Sequence, residues 1–309
     1  MKHCPLLKSA SSNGTLVPMN RHLLALFGCL SLTIPVAADP GEPFLDDEAI
    51  KAAFETHLGE LFQAGGLPTT SHLAGQLKKA NATSLPLPAI AKPDSPPPAN
   101  PVARARAATL ILGHLFLCGK CEKYHANLAG GVLLSPDGLA LTNYHVMDSR
   151  EAVVFGAMTA GGQIYGIESV LASSKRDDLA LVKLLDARDL PHVPLCRTLH
   201  SGEELFVISH PDGHFYTLSR GDLARKYLTP REHVPRLQIT ADFAKGSSGS
   251  GIFNARGELI GVAASTNSIY YNEKDGIKDN LQMVVKSGVP VEAILNLFQT
   301  APTEKNSVP

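Results

Sequence analysis

The sequence predicts a mainly β protein, built as a sandwich or a closed barrel, and three observations carry that expectation. From about residue 105 onward, short apolar segments alternate with turn residues: LILGHLFL, AGGVLLS, LALTN, AVVFGA, DLALVKL, ELFVIS, RLQIT, SGIFN, ELIGVAAS and LQMVVK. Gly (26) and Pro (22) are plentiful, as a chain with many turns requires. Ser135-Pro136-Asp137-Gly138 and Asn254-Ala255-Arg256-Gly257 place turn-forming residues between apolar runs, so each closes a hairpin.

The elements before that region are of a different kind. Arg21 and His22 precede an apolar run, Leu23 to Ala38, that ends in Val36-Ala37-Ala38. A basic flank, a short apolar stretch and small residues before a cleavage point form an export signal, so residues 1–38 are read as a signal peptide, with Met19 as a possible true start. A lipoprotein signal on Cys29 is the rival, weakened by the bulky Phe27. The run is short for a membrane span, and no stable membrane insertion is expected after cleavage.

Residues 39–83 are read as a short helical region. Phe44, Leu45, Ile50, Phe54, Leu58, Leu61 and Phe62 recur at helical spacing over 44–64, and Gly65-Gly66 stops the pattern. Asp46, Asp47 and Glu48 suit the positive end of that helix. A second short helix spans Ser71 to Ala80. Residues 84–104 begin with SLPLPAIAKPDSPPPANP and read as a proline-rich linker. At the other end, VPVEAILNLF reads as a helix after a proline start.

Composition excludes one broad class. The chain has 309 residues, 44% of them hydrophobic and only 18% charged, with a net charge of −1. No basic surface to neutralise phosphates follows from such a balance, so nucleic acid is not an expected partner. Of the five cysteines, Cys4 and Cys29 fall in the leader and Cys118, Cys121 and Cys196 remain, an odd number for an exported chain.

Three motifs carry chemistry. In Gly246-Ser247-Ser248-Gly249-Ser250-Gly251 a serine lies in a glycine-rich turn, which exposes its hydroxyl and frees nearby amides. In Thr142-Asn143-Tyr144-His145-Val146 a histidine follows an apolar strand, where a scaffold can fix a general base. Asp178 opens the apolar run Leu179-Ala180-Leu181-Val182, where a carboxylate needs a hydrogen-bonding partner such as an imidazole. Each motif alone is weak; a partly buried histidine, a flexible Gly/Ser turn and a solvated acidic turn are all common.

Together and in this order the motifs are specific. AGGVLLSPDGLALTNYHV, then DLALVKL, then KGSSGSGIFNARGELIGV resemble the trypsin-like peptidases, above all the bacterial Deg/HtrA and glutamyl endopeptidase groups. The resemblance covers residues 105–301, leaving 302–309 as a disordered tail. It implies two six-stranded antiparallel β-barrels with a C-terminal helix, preceded by the short helical segment. It further implies that His145 is the general base, Asp178 its orienter and Ser248 the nucleophile, with the backbone of Gly246 and Ser248 as oxyanion hole. The expected function is that of an exported serine endopeptidase, periplasmic or secreted, acting on polypeptides without a required cofactor. A peptidase-fold binding or chaperone module, or an esterase, is the alternative.

The departures from the family pattern are as informative. Ser250 and Gly251 stand where the family commonly has glycine and proline, and Ser247 where the digestive enzymes have the aspartate that pairs with a new N-terminus. Activation by that ion pair is not expected, and neither is a PDZ domain after the peptidase. The resemblance puts Asp242 at the base of the S1 pocket, with Ala264, Ser265 and Thr266 as the opposite wall. A buried carboxylate there would favour Arg or Lys at P1, unless Asp242 turns away to bond backbone. Cys118 and Cys121, with His125 close by, are read as a disulfide, as part of a structural zinc site completed by Cys196 or His114, or as free thiols.

Overall fold

Twelve strands form two closed six-stranded antiparallel barrels, as the resemblance implies. The computed structural model describes residues 44–79 and 85–298. The signal peptide, Cys4, Cys29, the last residue of the second expected helix and the C-terminal tail lie outside the described residues. Among the described residues no helix is long and apolar enough to cross a membrane.

The first barrel consists of β1 (Thr109–Leu117), β2 (Tyr124–Leu133), β3 (Leu139–Thr142), β4 (Val154–Thr159), β5 (Ile164–Ser174) and β6 (Leu179–Leu184), in the order β1-β2-β3-β6-β5-β4. The second consists of β7 (Glu204–Ser209), β8 (Thr217–Leu228), β9 (Pro235–Ile239), β10 (Gly251–Asn254), β11 (Leu259–Lys274) and β12 (Ile277–Pro290), in the order β10-β11-β12-β9-β8-β7. Closure leaves neither sheet with a free edge over the paired registers. The two turns read from sequence do close hairpins: Gly138 at φ +85° joins β2 to β3, and Gly257 at φ +69° joins β10 to β11. The helix after Pro290 is α5 (Val291–Asn296).

The helical region packs against the first barrel. Helix α1 (Asp47–Ala64) is capped by Asp46, whose carboxylate accepts the Ala49 N–H at 3.0 Å. Its Phe54 and Leu58 are fully buried in the same hydrophobic cluster as Leu112 and Leu115 of β1. Helix α2 (Thr70–Lys79) adds Leu73 and Leu77 to that cluster. The barrel wall makes room for these helices through missing side chains. A Cβ on Gly156 would stand 2.6 Å from Leu58 Cδ1, and one on Gly166 would stand 2.2 Å from Leu67 Cδ2. The stretch read as a linker is also engaged. Ile90 forms a parallel bridge with Leu195, Ala91 N–H donates to Leu195 O at 2.8 Å, and α3 (Pro101–Ala108) ends it with Ala105 and Ala108 buried. Proline-rich composition signalled the lack of continuous helix, but not the docking, which depends on distant partners.

The second barrel has its own smaller cluster, around Val207, Leu223, Leu237, Ile252 and Ala263. Its hairpin β11–β12 runs past the barrel as a ribbon, reversing at Asp275-Gly276 where both residues have positive φ. Tyr271, Ile277 and Met283 are exposed along it.

One buried polar residue ties the barrels together. His210, just after β7, is 1% exposed. Its Nδ1 accepts the Tyr216 N–H at 3.1 Å, so Nε2 carries the proton and donates to Leu110 O of β1 at 3.1 Å. Burial pushes the imidazole down to about 4 from the ordinary 6.5, against the opposing pull of the Leu110 carbonyl and of Asp47.

Two expectations follow for stability. If α1 belongs to the folding unit, Phe54→Ala will destabilise the whole chain by about 3–5 kcal/mol in urea unfolding; an unchanged midpoint would show that the helix merely rests on the barrel. The second concerns acid. Between about pH 6.5 and 4 the unfolded chain binds a proton at His210 that the folded chain refuses, so its contribution is intact above 6.5 and lost as pH falls toward 4. At about 1.4 kcal/mol per pH unit, the full loss is on the order of 3 kcal/mol. Urea midpoints over this range should fall less steeply for His210→Gln than for wild type; parallel curves would assign the acid sensitivity elsewhere.

Candidate active site

The three chemistry-bearing motifs meet where the barrels face each other. Strand β3 ends at Thr142, and α4 (Tyr144–Met147) turns immediately after it, which carries His145 to the barrel rim. Asn143 precedes this turn without a side-chain cap; its Nδ2 donates to Asp178 O at 2.8 Å, and its Oδ1 is buried with no partner among the described residues. Asp178 has φ +62°, a left-handed conformation that aspartate tolerates better than most residues. That bend aims its carboxylate back at His145 rather than along β6.

The carboxylate holds His145 at two places. Asp178 Oδ1 accepts the His145 backbone N–H at 3.1 Å, and Oδ2 lies 2.9 Å from Nδ1. Since a carboxylate only accepts, Nδ1 carries the ring proton and Nε2 has its lone pair free. Ser248 Oγ lies 2.9 Å from that Nε2. Asp178, His145 and Ser248 therefore form one hydrogen-bonded chain across the interface, although they are far apart in sequence.

The turn that carries Ser248 is fixed from both barrels. Ser248 O accepts the Gly130 N–H at 2.7 Å, Gly249 N–H donates to Ala263 O at 2.9 Å, and Ala263 N–H donates to Ser250 O at 2.8 Å. Gly249 has φ +79°, and a Cβ there would stand 2.3 Å from Thr142 Oγ1, so glycine is required both by conformation and by space. Gly246 has φ +91° and passes close to His210 O, 2.6 Å from where a Cβ would sit. The amides of Ser247, Gly249 and Ser250 all have backbone acceptors, whereas those of Gly246 and Ser248 have none among the described residues. A cleft of about 440 Å³ opens beside them, bordered by His114, Asn127, Ala129, His145, Lys245 and Ser248. Burial lowers His114 below the usual imidazole range, and its Nε2 lies 3.1 Å from Ser149 Oγ.

The expected S1 residues are arranged differently. Asp242 is not a buried carboxylate: its side chain is 88% exposed and sits 3.3 Å from Lys286 Nζ, which is only 12% exposed. Lys286 also donates to Phe243 O at 2.7 Å, and its Cα stands opposite Thr266 in the β11–β12 register, with Ser265 opposite Ser287. Position counting could not find Lys286, which lies 44 residues later and meets Asp242 through the β12–β9 and β11–β12 pairings. Asp47 was likewise read only as a helix-end charge. It accepts the Phe215 N–H at 3.0 Å and faces His214 Nδ1 at 3.3 Å. Cys118, Cys121 and His125 do lie together, whereas His114 and Cys196 lie elsewhere. The Lys120 N–H, then the Cys121 thiol, bring Cys118 down to about 7.

Residues 129–262 match the trypsin-like peptidase domain family. Among curated relatives, a probable periplasmic serine endoprotease, DegP-like, from Pseudomonas savastanoi pv. phaseolicola is 26% identical over 183 residues, which are 58% of this chain and 36% of the relative. A protein of the same description from a Marinomonas species is 30% identical over 155 residues, 49% of this chain and 31% of the relative. The chain thus spans about a third of the length of these relatives. The solved structure of the HtrA-type protease AlgW with a decapeptide superposes with a TM-score of 0.53 at 21% identity, covering 65% of this chain and 66% of that one. Two closed barrels with a His–Asp–Ser chain between them are the arrangement of the trypsin-like serine peptidases, which residues 129–262 resemble. Within that class the chain is similar to the Deg/HtrA-type peptidases.

The Asp242–Lys286 pair removes the physical reason for a basic P1 preference, since the carboxylate already has a cation. In a P1-varied peptide series, Asp242→Ser should leave the ratio of cleavage after Arg, Leu and Glu within about twofold of wild type. A selective loss of cleavage after Arg and Lys would show that the carboxylate reaches the substrate.

Proposed function

We propose that the chain is an exported serine endopeptidase that cuts polypeptides through an acyl-enzyme on Ser248. The observation that carries this reading is the continuous hydrogen-bonded chain Asp178–His145–Ser248, with 2.9 Å at each link. In the first half-reaction Ser248 Oγ bonds to the scissile carbonyl carbon while His145 Nε2 takes the hydroxyl proton. Asp178 keeps Nδ1 protonated and stabilises the imidazolium. The carbonyl electrons move onto oxygen, where the Gly246 and Ser248 amides would donate to it. His145 then gives its proton to the leaving amine, and water attacks the ester by the same steps in reverse. Every proton and electron pair in the cycle is handled by side chains and backbone, so the chemistry calls for no metal or organic cofactor.

Export is supported by the apolar run before Val36-Ala37-Ala38 and by relatives described as periplasmic. Polypeptides are the substrate class because the family's fold leaves an open cleft beside the serine. The test is Ser248→Ala. Purified variant should lose labelling by a fluorophosphonate and lose peptide turnover by about 10⁴-fold or more in kcat, while its melting temperature stays near wild type. Turnover of a peptide library at the wild-type rate would end the assignment. Labelling of wild type without any peptide cleavage would instead favour a binding module or an esterase.

A further inference from the structure

The loop between β1 and β2 holds a group of side chains that peptide hydrolysis does not use. Cys118 Sγ and Cys121 Sγ are 3.5 Å apart, and His125 Nε2 is 3.1 Å from Cys121 Sγ. All three donor atoms lie within 4.8 Å of one another. Cys118 and Cys121 are exposed, and His125 is half-buried on β2, with its ring 5.9 Å from that of Phe116.

We propose that Cys118, Cys121 and His125 bind a thiophilic cation, zinc, in a site whose fourth position is open to solvent. Tetrahedral zinc takes sulfur at about 2.3 Å and nitrogen at about 2.0–2.1 Å, which separates its donor atoms by roughly 3.5–3.8 Å. The Cys118–Cys121 and Cys121–His125 spacings lie within about half an ångström of that, and all three donors lie within 4.8 Å of one another, so an ion can enter with modest movement of the chain. The donor set is two thiols and one imidazole, with no carboxylate in the group, and such soft donors select zinc over magnesium or calcium.

The imidazole favours the metal over the other readings that the sequence left open. A disulfide would engage Cys118 and Cys121 and would give His125 nothing to do. Instead His125 is held at the start of β2 by pairing with Phe116 and directs Nε2 onto Cys121 Sγ. A fixed third donor aimed at the same point is what a metal needs and a disulfide does not. The fourth position does not come from His114, which sits on Ser149 in the cleft, or from Cys196, which packs on the second barrel.

The location gives the site a structural task. The loop runs directly into Tyr124, whose ring meets Phe62 of α1 edge-on at 6.2 Å, and then into Ala126, Asn127 and Leu128 beside the catalytic cleft. An ion that joins both sides of the loop clamps the end of the β1–β2 hairpin on which this wall depends.

The experiment uses the full reduced chain, titrated with zinc against a chromogenic chelator and, separately, with cobalt(II). About one equivalent should bind, cobalt should give thiolate charge-transfer absorption with tetrahedral d–d bands, and zinc should raise the melting temperature. Cys118→Ser and Cys121→Ser should each abolish the charge-transfer signature or shift it, and His125→Ala should weaken zinc binding by about tenfold or more. Cys196→Ser should bind as wild type. Circular dichroism of each variant shows whether the fold persists, and the exposed loop tolerates these changes. Absence of uptake, or uptake unaffected by the double cysteine variant, overturns the proposal. So does a chain isolated with mass lower by about two hydrogens in which Cys118 and Cys121 do not react with thiol reagents, which would make the pair a disulfide.

Discussion

The Ser248 carbonyl accepts the Gly130 N–H at 2.7 Å, and the geometry of the site depends on that bond. It is the point where the first barrel's β2 takes hold of the second barrel's Ser248 turn. Together with the His210–Leu110 bond and the core the barrels share, it holds Oγ of one barrel 2.9 Å from Nε2 of the other. The surroundings admit little else. Thr142 Oγ1 donates to Gly130 O at 2.8 Å, and glycine at 249 lets the turn lie against both groups. Ser250 Oγ is buried there without a partner, a local cost that close packing of the barrels imposes. Catalytic geometry of this kind tolerates errors of only about half an ångström, which explains why so much backbone bonding converges on one turn.

A second constraint comes from outside the barrels. Asp47 in the first turn of α1 binds the Phe215 N–H, and in the same loop the Asp212 N–H donates to Lys245 O at 2.6 Å. Lys245 is the neighbour of Gly246, whose peptide also passes over His210 O. His210 in turn is bonded to β1 through Leu110 O. One connected set of contacts therefore runs from α1 through the 211–216 loop to the amide beside the nucleophile. The burial of Phe54 and Leu58 gives that set a firm base, because α1 cannot shift without opening the first barrel's core.

How legible this was in the sequence differs from element to element. The strands, both glycine turns and the capped helices follow from local pattern, since period, turn chemistry and capping act within a few residues. The His145, Asp178 and Ser248 positions were legible because each motif is short and their order is specific. What escaped was everything that depends on residues distant in sequence but close in space. Gly156 and Gly166 look like weak points in strands until Leu58 and Leu67 are seen to fill the space above them. The proline-rich stretch looked like a free connector because its partner, Leu195, is a hundred residues away. Counting expected Asp242 as a buried S1 carboxylate, but its side chain lies in solvent beside Lys286 of another strand.

That last case shows where position stops carrying chemistry. A carboxylate selects a cationic substrate only if folding leaves it desolvated and unpaired, so that the ligand relieves an existing cost. Here neither condition holds. Asp242 is almost fully in water, and its partner Lys286 is the more enclosed member of the pair, anchored by the Phe243 carbonyl and by its place opposite Thr266. The group that is held and partly desolvated at this end of the second barrel is an ammonium, and Asp242 answers its charge. The same sequence position therefore has the opposite electrostatic role from the one its residue type implies, because β12 brings a lysine to it. A residue's number relative to the nucleophile fixes where its backbone runs, whereas the strand paired across from it fixes what charge the substrate would meet.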